Sequence, residues 1–351
     1  MGRLFAIARA ASLLILFAAP VAAQAPDTIR IAAVDFFGLR TIPDSAARRA
    51  LGIAPGERIP DSTRRAAAIA RLGALPGVRR AHIDLVCCAT EGGALTYVGV
   101  EERGAPTIRF ANAPTGAVRL PREIQEAGTA LDSAFSDAVA HRDFAETDTA
   151  GYAIMHWPAA AAVQRRFVPL AARYTPELRS VLHHSSNAEQ RALAAQVLGY
   201  APDKRAVVAD LATALSDPDG TVRNNATRAL WVIAAYAQRR PELGITIPYD
   251  RLVAMLDSPV WTDRNKASLA LAQLTAARSA PLLALLRARS MAPLIEMAHW
   301  HELGHAGAAL TILGRIAGMS EAEILTSLQR GDREPILRAV AASTGQHSPR
   351  H

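Results

Sequence analysis

The sequence predicts a mainly α-helical protein, an α-solenoid of helical hairpins preceded by a small α/β domain with the element order β-α-α-β-β. Three observations lead to this fold class. Half of the 351 residues are apolar but only 5% are aromatic, which favours closely packed helices over a β-sandwich. Near the N-terminus, short apolar runs alternate with polar residues as strands do. Beyond residue 176, one helical pattern of alanine and leucine recurs.

The chain opens with the features of a cleavable signal peptide over residues 1–23. Arg3 and Arg9 accompany an apolar run that ends at Phe17, and the small residues of 21–23 form a cleavage site. The apolar run is short for a helix that must cross a hydrocarbon layer of about 30 Å, so an uncleaved anchor is the less favoured alternative. We therefore expect a periplasmic or secreted protein with no transmembrane segment once the signal is removed.

The formal net charge of +7 comes almost entirely from arginine, since only Lys204 and Lys266 contribute lysine to the 39 cationic residues. No run of these residues has the pattern that tracks a phosphate backbone, so nucleic acid is not an expected partner. The two cysteines, Cys87 and Cys88, are adjacent. A disulfide between neighbours would form a strained ring, and a pair of small apolar residues at a strand end is the alternative.

Residues 27–102 predict the small α/β domain. A β-type apolar run ends at Gly38, and a short helix follows over Pro43–Leu51, with Gly52 as its C-terminal stop. Asp61 then predicts the N-terminal cap of a second helix.

Two strands complete this domain, around Arg80–Cys87 and Ala94–Glu101. Apolar residues alternate along both, so we expect the two helices to cover one face of the sheet. This order, with Gly38, Gly56 and the Leu75–Val78 turn, resembles the POTRA domain of outer-membrane assembly and secretion proteins. The resemblance implies a module that binds partner proteins, often by adding a strand to a sheet edge. An unrelated α/β domain is the alternative.

Residues 103–120 are rich in proline and glycine and predict a linker. The helical domain is expected over residues 121–343. Its first helix carries an apolar stripe that predicts one buried face. The members of the stripe are Ile124, Ala127, Leu131, Phe135 and Val139. A polar stretch over 141–156 predicts a solvated loop, and a second helix is expected over Pro158–Tyr174.

The repeats align on Arg191, Arg223 and Arg264. Each arginine is followed three residues later by alanine and seven residues later by leucine. A fourth copy keeps this pattern, with Ala306 at the position of the arginine. These offsets lie on one face of a helix, and a spacing of 32 to 42 residues between copies suits a two-helix unit.

An amphipathic segment precedes each copy, and the turn at 217–220 shows how the two helices of a unit are joined. A single hairpin cannot cover its apolar face, so the hairpins must stack. Through Asp217-Pro218-Asp219, Val222-Arg223 and Ala226, the chain resembles HEAT repeats over roughly 177–318, in particular the short variety shared with phycobilisome-lyase-like proteins.

This resemblance implies that acidic and basic residues near the turns bond within and between units, as structural groups. The residues concerned are Asp217, Arg223, Asp263 and Arg264. Two closing helices are expected at Glu321–Leu328 and Glu334–Val340, and residues 344–351 are expected to form a disordered tail.

His301, Glu302 and His305 match the H-E-x-x-H pattern of zinc peptidases. On one continuous helix, the two imidazoles would share a face and the glutamate would activate a metal-bound water. The metzincin continuation fails because Thr311 stands where the third histidine belongs. The alternative third ligands are Glu321 and Glu323.

The repeat frame competes for the same residues, because it places Leu303 and Gly304 in the turn between the two helices of the fourth unit. A broken helix cannot present both histidines to one metal. The sequence therefore favours an exported, non-enzymatic scaffold that binds protein partners in the cell envelope, with no catalytic, cofactor or metal residues assigned. The alternative is a zinc-dependent metallopeptidase using residues 301–305. Attachment of a chromophore, the third possibility, conflicts with the predicted export.

Overall fold

The computed structural model describes residues 29–343 apart from 88, 142, 144 and 149, and also residue 345. The predicted signal peptide, Cys88 and nearly all of the predicted tail lie outside the described residues. Export and the disordered tail therefore stay predictions.

The N-terminal domain has the predicted order of elements. They are β1 (Ile31–Phe37), α1 (Asp44–Leu51), α2 (Ser62–Gly73), β2 (Val78–Cys87) and β3 (Ala94–Glu102). Gly52 ends α1 at a φ of 60°, in the left-handed region that glycine adopts without strain. The carboxylate of Asp61 caps α2 by accepting the N–H of Arg64 at 2.7 Å.

The sheet has the order β1-β3-β2, with β1 parallel and β2 antiparallel to the central β3. One face packs on α1 and α2, as predicted, through residues such as Val98 and Leu72. The expectation of a single covered face was incomplete, because every residue of β3 is buried. Leu95 and Tyr97 point to the opposite face and join the core of the helical domain.

Residues 103–121 form no helix or extended strand, and the described chain beyond them consists of helices and one small hairpin. Its elements are α3 (Arg122–Ala140), β4 (Glu146–Thr147), β5 (Ile154–Met155), α4 (Pro158–His184), α5 (Ala188–Leu198), α6 (Lys204–Ala214), α7 (Gly220–Arg239), α8 (Asp250–Met255), α9 (Trp261–Leu274), α10 (Ala280–Arg289), α11 (Met291–Ala298), α12 (Leu303–Ile316), α13 (Glu321–Gln329) and α14 (Glu334–Ser343). The fold class is the predicted one. None of these helices combines the length and the apolar character needed to cross a bilayer.

The helices from the second half of α4 onward form stacked hairpins. The pairs are α4 with α5, α6 with α7, α8 with α9, and α11 with α12, while the second helices of these units pack on one another in chain order. The repeated alanines, Ala194, Ala226, Ala267 and Ala309, are all 0% exposed, so small side chains lie where the helices approach most closely. The two closing helices, α13 and α14, stand where they were expected.

The predicted break between Tyr174 and the first repeat is present inside α4. Tyr174 has φ −115° and ψ 22°, which interrupts the helix two residues before Pro176. Pro176 has no N–H for the carbonyl four residues earlier, and its ring would clash with that carbonyl, so the helix kinks in the turn before the proline.

The apolar stripe of α3 leaves the core in its second half. Ile124, Ala127 and Leu131 are buried as predicted, but Phe135 and Val139 are 47% and 43% exposed. The buried face of these last turns is formed by smaller residues instead, Ala134 and Ala138. The prediction of a fully buried stripe was therefore wrong for its last two members.

The polar stretch over 141–156 is not the solvated loop that was predicted. It contains the antiparallel pair β4–β5, with Glu146 opposite Met155. Glu146 forms an ion pair with Arg228 of α7, and Asp148 forms another with Arg239 at 3.2 Å. These contacts hold the hairpin against α7.

Candidate functional site

Three buried arginines, Arg191, Arg223 and Arg264, connect consecutive units of the solenoid. Each donates to the carbonyl oxygen six residues earlier, in the turn of its own unit, at 2.9, 2.8 and 2.7 Å respectively. Each also forms an ion pair with an acidic side chain that belongs to the next unit. The partners are Asp217, Asp263 and Glu296, at 2.7, 2.9 and 2.7 Å. Buried charges need such compensation, and the resemblance implied structural bonds of this kind for Asp217, Arg223, Asp263 and Arg264. Arg191 and Glu296 take part in them as well.

The N-terminal part of the chain covers this row of turns. The ring of Phe110, in the segment after β3, lies 3.9 Å from the guanidinium of Arg223. The ring of Phe37, at the end of β1, lies 4.6 Å from that of Arg264. Gly116 contacts the turn of the first unit, where its N–H donates to the backbone carbonyl of His184 at 2.9 Å. Residues 103–120 are thus bound along the repeats over part of their length.

The second face of the sheet packs on the third and fourth turns through aromatic rings. Tyr97 stacks on Trp261 with centroids 5.1 Å apart, and lies equally close to Trp300. The hydroxyl of Tyr97 is 2.7 Å from Nδ1 of His305. At Gly99, a Cβ atom would lie 1.8 Å from the carbonyl oxygen of Pro259, so only glycine permits this approach.

The H-E-x-x-H residues lie in this same interface and not on one continuous helix. Glu302 is the N-cap of α12 and accepts the N–H of Gly304, while its carboxylate also bonds the N–H and the hydroxyl of Thr90, each at 2.9 Å. His301 precedes the helix, and its Nε2 lies 2.6 Å from Glu91. The glutamate that a peptidase would need as a base is therefore occupied as a helix cap.

The turn of the fourth unit differs slightly from the prediction. α12 begins at Leu303, so Leu303 and Gly304 are its first residues rather than the turn, because Glu302 supplies the cap. The two helices that the repeat frame requires are present on either side. Within the described ranges, no group of three or more His, Cys, Asp or Glu side chains is placed to hold a metal ion.

The two alternative third ligands have structural roles as well. Glu321 forms ion pairs with Arg315 and Arg278, both at 2.8 Å. Glu323 completes a capping box with Ser320 at the start of α13. Both carboxylates are therefore occupied within their own part of the solenoid.

The face formed by the second helices carries a cleft of about 410 Å³. Its base is formed by α5, α7 and α9, and its walls by the middle of α3 and by the β4–β5 hairpin. The half-exposed ring of Phe135 lines one side. Polar side chains of its lining include Asn224, Asn225, Arg228 and Lys266. This surface, which we call the second-helix cleft, is the candidate functional site.

Tyrosine and glutamine side chains hold the hairpin wall of the cleft in place. The hydroxyl of Tyr200 donates to the carbonyl of Ala153 at 2.8 Å. The side-chain oxygen of Gln164 accepts the N–H of Met155 at 2.6 Å. Burial raises the pKa of Tyr200 well above its ordinary value, so it stays a neutral donor.

Both lysines of the chain belong to this region. Lys204 is 4% exposed, donates to the carbonyl of Gly199 at 2.7 Å and lies 5.0 Å from the ring of Tyr152, which lines the cleft. Lys266 lines the cleft directly, and burial lowers its pKa to about 8, with a further contribution from the charge of Arg228. Burial lowers the pKa of Lys204 to about 8 as well. An ammonium group in such a cleft favours an anionic ligand.

Residues 175–272 match the family model of HEAT repeats. The match covers the first two units and the third through most of α9, which are the units that form the base of the cleft. Among solved structures, a designed armadillo repeat protein, YIII(Dq)4CqI, is similar over 55% of this chain and 88% of its own, at 20% identity and a TM-score of 0.36. No curated protein sequence matches the chain.

The cleft was not recognised from the sequence, although the HEAT-like frame contained a signal for it. Asn225 and Lys266 each stand two residues after an anchor arginine, and Gln196 and Arg228 each stand five residues after one. All four line the cleft. Polar residues at these offsets on the second helices therefore mark the open face. The walls involve contacts between distant segments, which no periodicity reveals.

Proposed function

We propose that this protein is an exported, non-enzymatic scaffold that holds a segment of a partner protein in the second-helix cleft. Four large hydrophobic side chains are exposed among the described residues, and two of them, Phe135 and Val139, stand on the last turns of α3. Phe135 lines the cleft beside polar groups of α7 and α9. An apolar side chain left exposed beside a polar cleft is the kind of surface that binds a partner, and this observation carries the proposal.

The α/β domain supplies a second contact in this proposal. As a POTRA-like module it would extend its sheet with a strand from another protein. β2 stands at an edge of the sheet, which supports this part of the proposal. The signal-peptide features of residues 1–23 support a location in the periplasm or outside the cell, with partners in the envelope.

The direct test compares two substitutions of exposed apolar residues. The full mature chain is cross-linked to envelope extracts as wild type, as Phe135→Asp and as Val118→Asp. Val118 is 37% exposed and lies outside the cleft, so it controls for a new surface charge. We expect mass spectrometry to find a partner that is lost in Phe135→Asp and kept in Val118→Asp. Equal recovery with both variants, or no specific partner for the wild type, would contradict the proposal.

The metallopeptidase alternative has its own measurement. Glu302 caps α12 and His301 bonds Glu91, so neither side chain is free to bind a metal. After purification in zinc-containing buffer, we therefore expect at most about 0.1 zinc ion per protein molecule. We also expect His301→Ala to leave the metal content unchanged. Stoichiometric zinc that is lost in His301→Ala would instead support the peptidase.

A further inference from the structure

Lys266 is a charged group of the second-helix cleft that forms no ion pair among the described residues. Its side chain is partly buried in the cleft, on α9. In the described part of the chain, its ammonium group has neither a hydrogen bond nor an ion pair. Arg228, beside it, is already bound by Glu146. A partly buried ammonium without a partner is unfavourable in the free protein and becomes favourable when a ligand supplies the anion.

The charges that face Lys266 restrict the anion that fits. The charge of Arg228 in α7 lowers the pKa of Lys266, and that of Glu146 in β4 raises it. The charge of Lys266 in turn lowers the pKa of His305 in α12. Asp132 of α3 lines the same cleft. The carboxylate of Glu146, whose charge acts on this ammonium, and that of Asp132 in the same cleft disfavour a doubly charged phosphate more than a singly charged carboxylate. The exposed ring of Phe135 adds an apolar surface to the same cleft.

We propose that the second-helix cleft selects extended peptide segments that carry an acidic side chain, with Lys266 binding the carboxylate and Phe135 contacting a neighbouring apolar residue of the peptide. The inference rests on the proposed function and adds the chemistry of the partner. Lys266 is thereby the specificity-determining residue of the cleft.

The first test uses random heptapeptides displayed on phage and selected against the full mature chain. We expect wild type to enrich peptides with Asp or Glu, Lys266→Gln to lose this enrichment, and Lys266→Arg to keep it. Arg49→Gln removes one positive charge from an exposed position in α1 and should behave as wild type. Each selected acidic peptide is then compared with its Gln or Asn analogue, for which we expect binding to wild type to be weaker by about tenfold.

A pH series separates Lys266 from the arginines of the cleft. Because its pKa is about 8, the free protein loses this charge between pH 7 and about pH 9.5. We expect the affinity of the acidic peptides to fall by about tenfold over this range in wild type, and to stay nearly constant in Lys266→Arg, since arginine remains charged. Isothermal titration at pH 8 should also show proton uptake on binding by wild type only.

The outcomes distinguish the two proposals. Selected peptides that bind the cleft, are lost in Phe135→Asp and show no preference for Asp or Glu would leave the scaffold function standing and overturn the role of Lys266. An acidic preference that persists in Lys266→Gln would overturn this role as well. Failure to select any peptide that Phe135→Asp weakens would count against both proposals.

Discussion

Arg223 connects three parts of the chain at once. Its guanidinium bonds the turn carbonyls of Asp217 and Pro218 at 2.8 and 3.0 Å, pairs with Asp263 of the next unit and lies under the ring of Phe110. The resemblance to HEAT repeats implied the structural role of this arginine, and an arginine stands at its position in three of the four aligned copies. The ring of Phe110 could not be predicted, since it comes from a segment without a repeat.

The first prediction concerns the free energy of unfolding. Replacing Arg223 with leucine leaves the buried carboxylate of Asp263 without its cation, so we expect a loss of about 3–5 kcal/mol. The double variant Arg223→Leu with Asp263→Leu should recover part of this loss, because no unpaired charge remains buried. Urea denaturation followed by circular dichroism measures both. Arg119→Leu, at an exposed position, is the control. Equal stability of Arg223→Leu and Arg119→Leu would contradict the prediction.

At the scale of elements, the periodic patterns predicted the helices and strands, and the long-range contacts between them were missed. The anchor frame placed the second helices because offsets of three and seven define one helix face. The docking of β3 on α9 and α12 joins residues such as Tyr97 and His305, which belong to different patterns. The alternation in β3 and the helical periodicity in α9 and α12 would be the same whether or not the sheet contacts the helices. The sequence therefore does not distinguish a docked sheet from a free one.

A second prediction tests this docking by adding one methyl group. The Cβ of Gly99→Ala would lie 1.8 Å from the carbonyl oxygen of Pro259, so the sheet must move away from the repeats. We expect Trp261 and Trp300 to become solvated, seen as a red shift of tryptophan emission and faster amide exchange at the start of α9. Gly307→Ala is the matched control, because nothing lies within 4 Å of its Cβ, and it should stabilise α12 by about 0.5–1 kcal/mol. Unchanged emission in Gly99→Ala would refute the docked arrangement.

The third prediction concerns the pH dependence of the same interface. Burial lowers the pKa of His305 below its ordinary value of 6.5, so the undocked state binds the proton more readily than the docked state. The contribution of His305 to docking is therefore complete above about pH 6.5 and is lost as the pH falls through the lowered pKa of its docked form. We expect the tryptophan emission to shift to the red between about pH 7.5 and pH 5.5.

His305→Gln isolates this contribution, because glutamine does not titrate and its carbonyl can accept from Tyr97. Asp35 gives docking the opposite pH dependence. Burial raises the pKa of its carboxyl group, so docking favours the protonated form and is weakened as the pH rises. The difference between wild type and His305→Gln removes the contribution of Asp35. A red shift of equal size in both proteins would assign the pH dependence to another group.

For the whole molecule, the N-terminal part of the chain and the repeats form one structure with an open face and a covered face. Phe37 and Phe110 lie over the arginines of the turns, and Tyr97 fills the space between Trp261 and Trp300. The cleft lies instead on the second helices, so binding there does not require the sheet to leave. The solenoid alone would expose its tryptophans and the carboxylate of Glu296, which bonds the N–H of Gly38 at 3.1 Å.

The last prediction follows from this arrangement. A fragment of residues 121–343 loses the aromatic rings over Arg223 and Arg264, so we expect its melting temperature to fall by at least about 10 °C or the fragment to associate through its exposed tryptophans. Scanning calorimetry measures the first effect and light scattering the second. Adding a separate fragment of residues 29–120 should restore part of the stability by binding to the exposed turns. A monomeric 121–343 fragment that melts at the temperature of the full chain would contradict this prediction. It would show that residues 29–120 do not stabilise the repeats, and that the rings of Phe37 and Phe110 contribute nothing to the stability of the buried arginines.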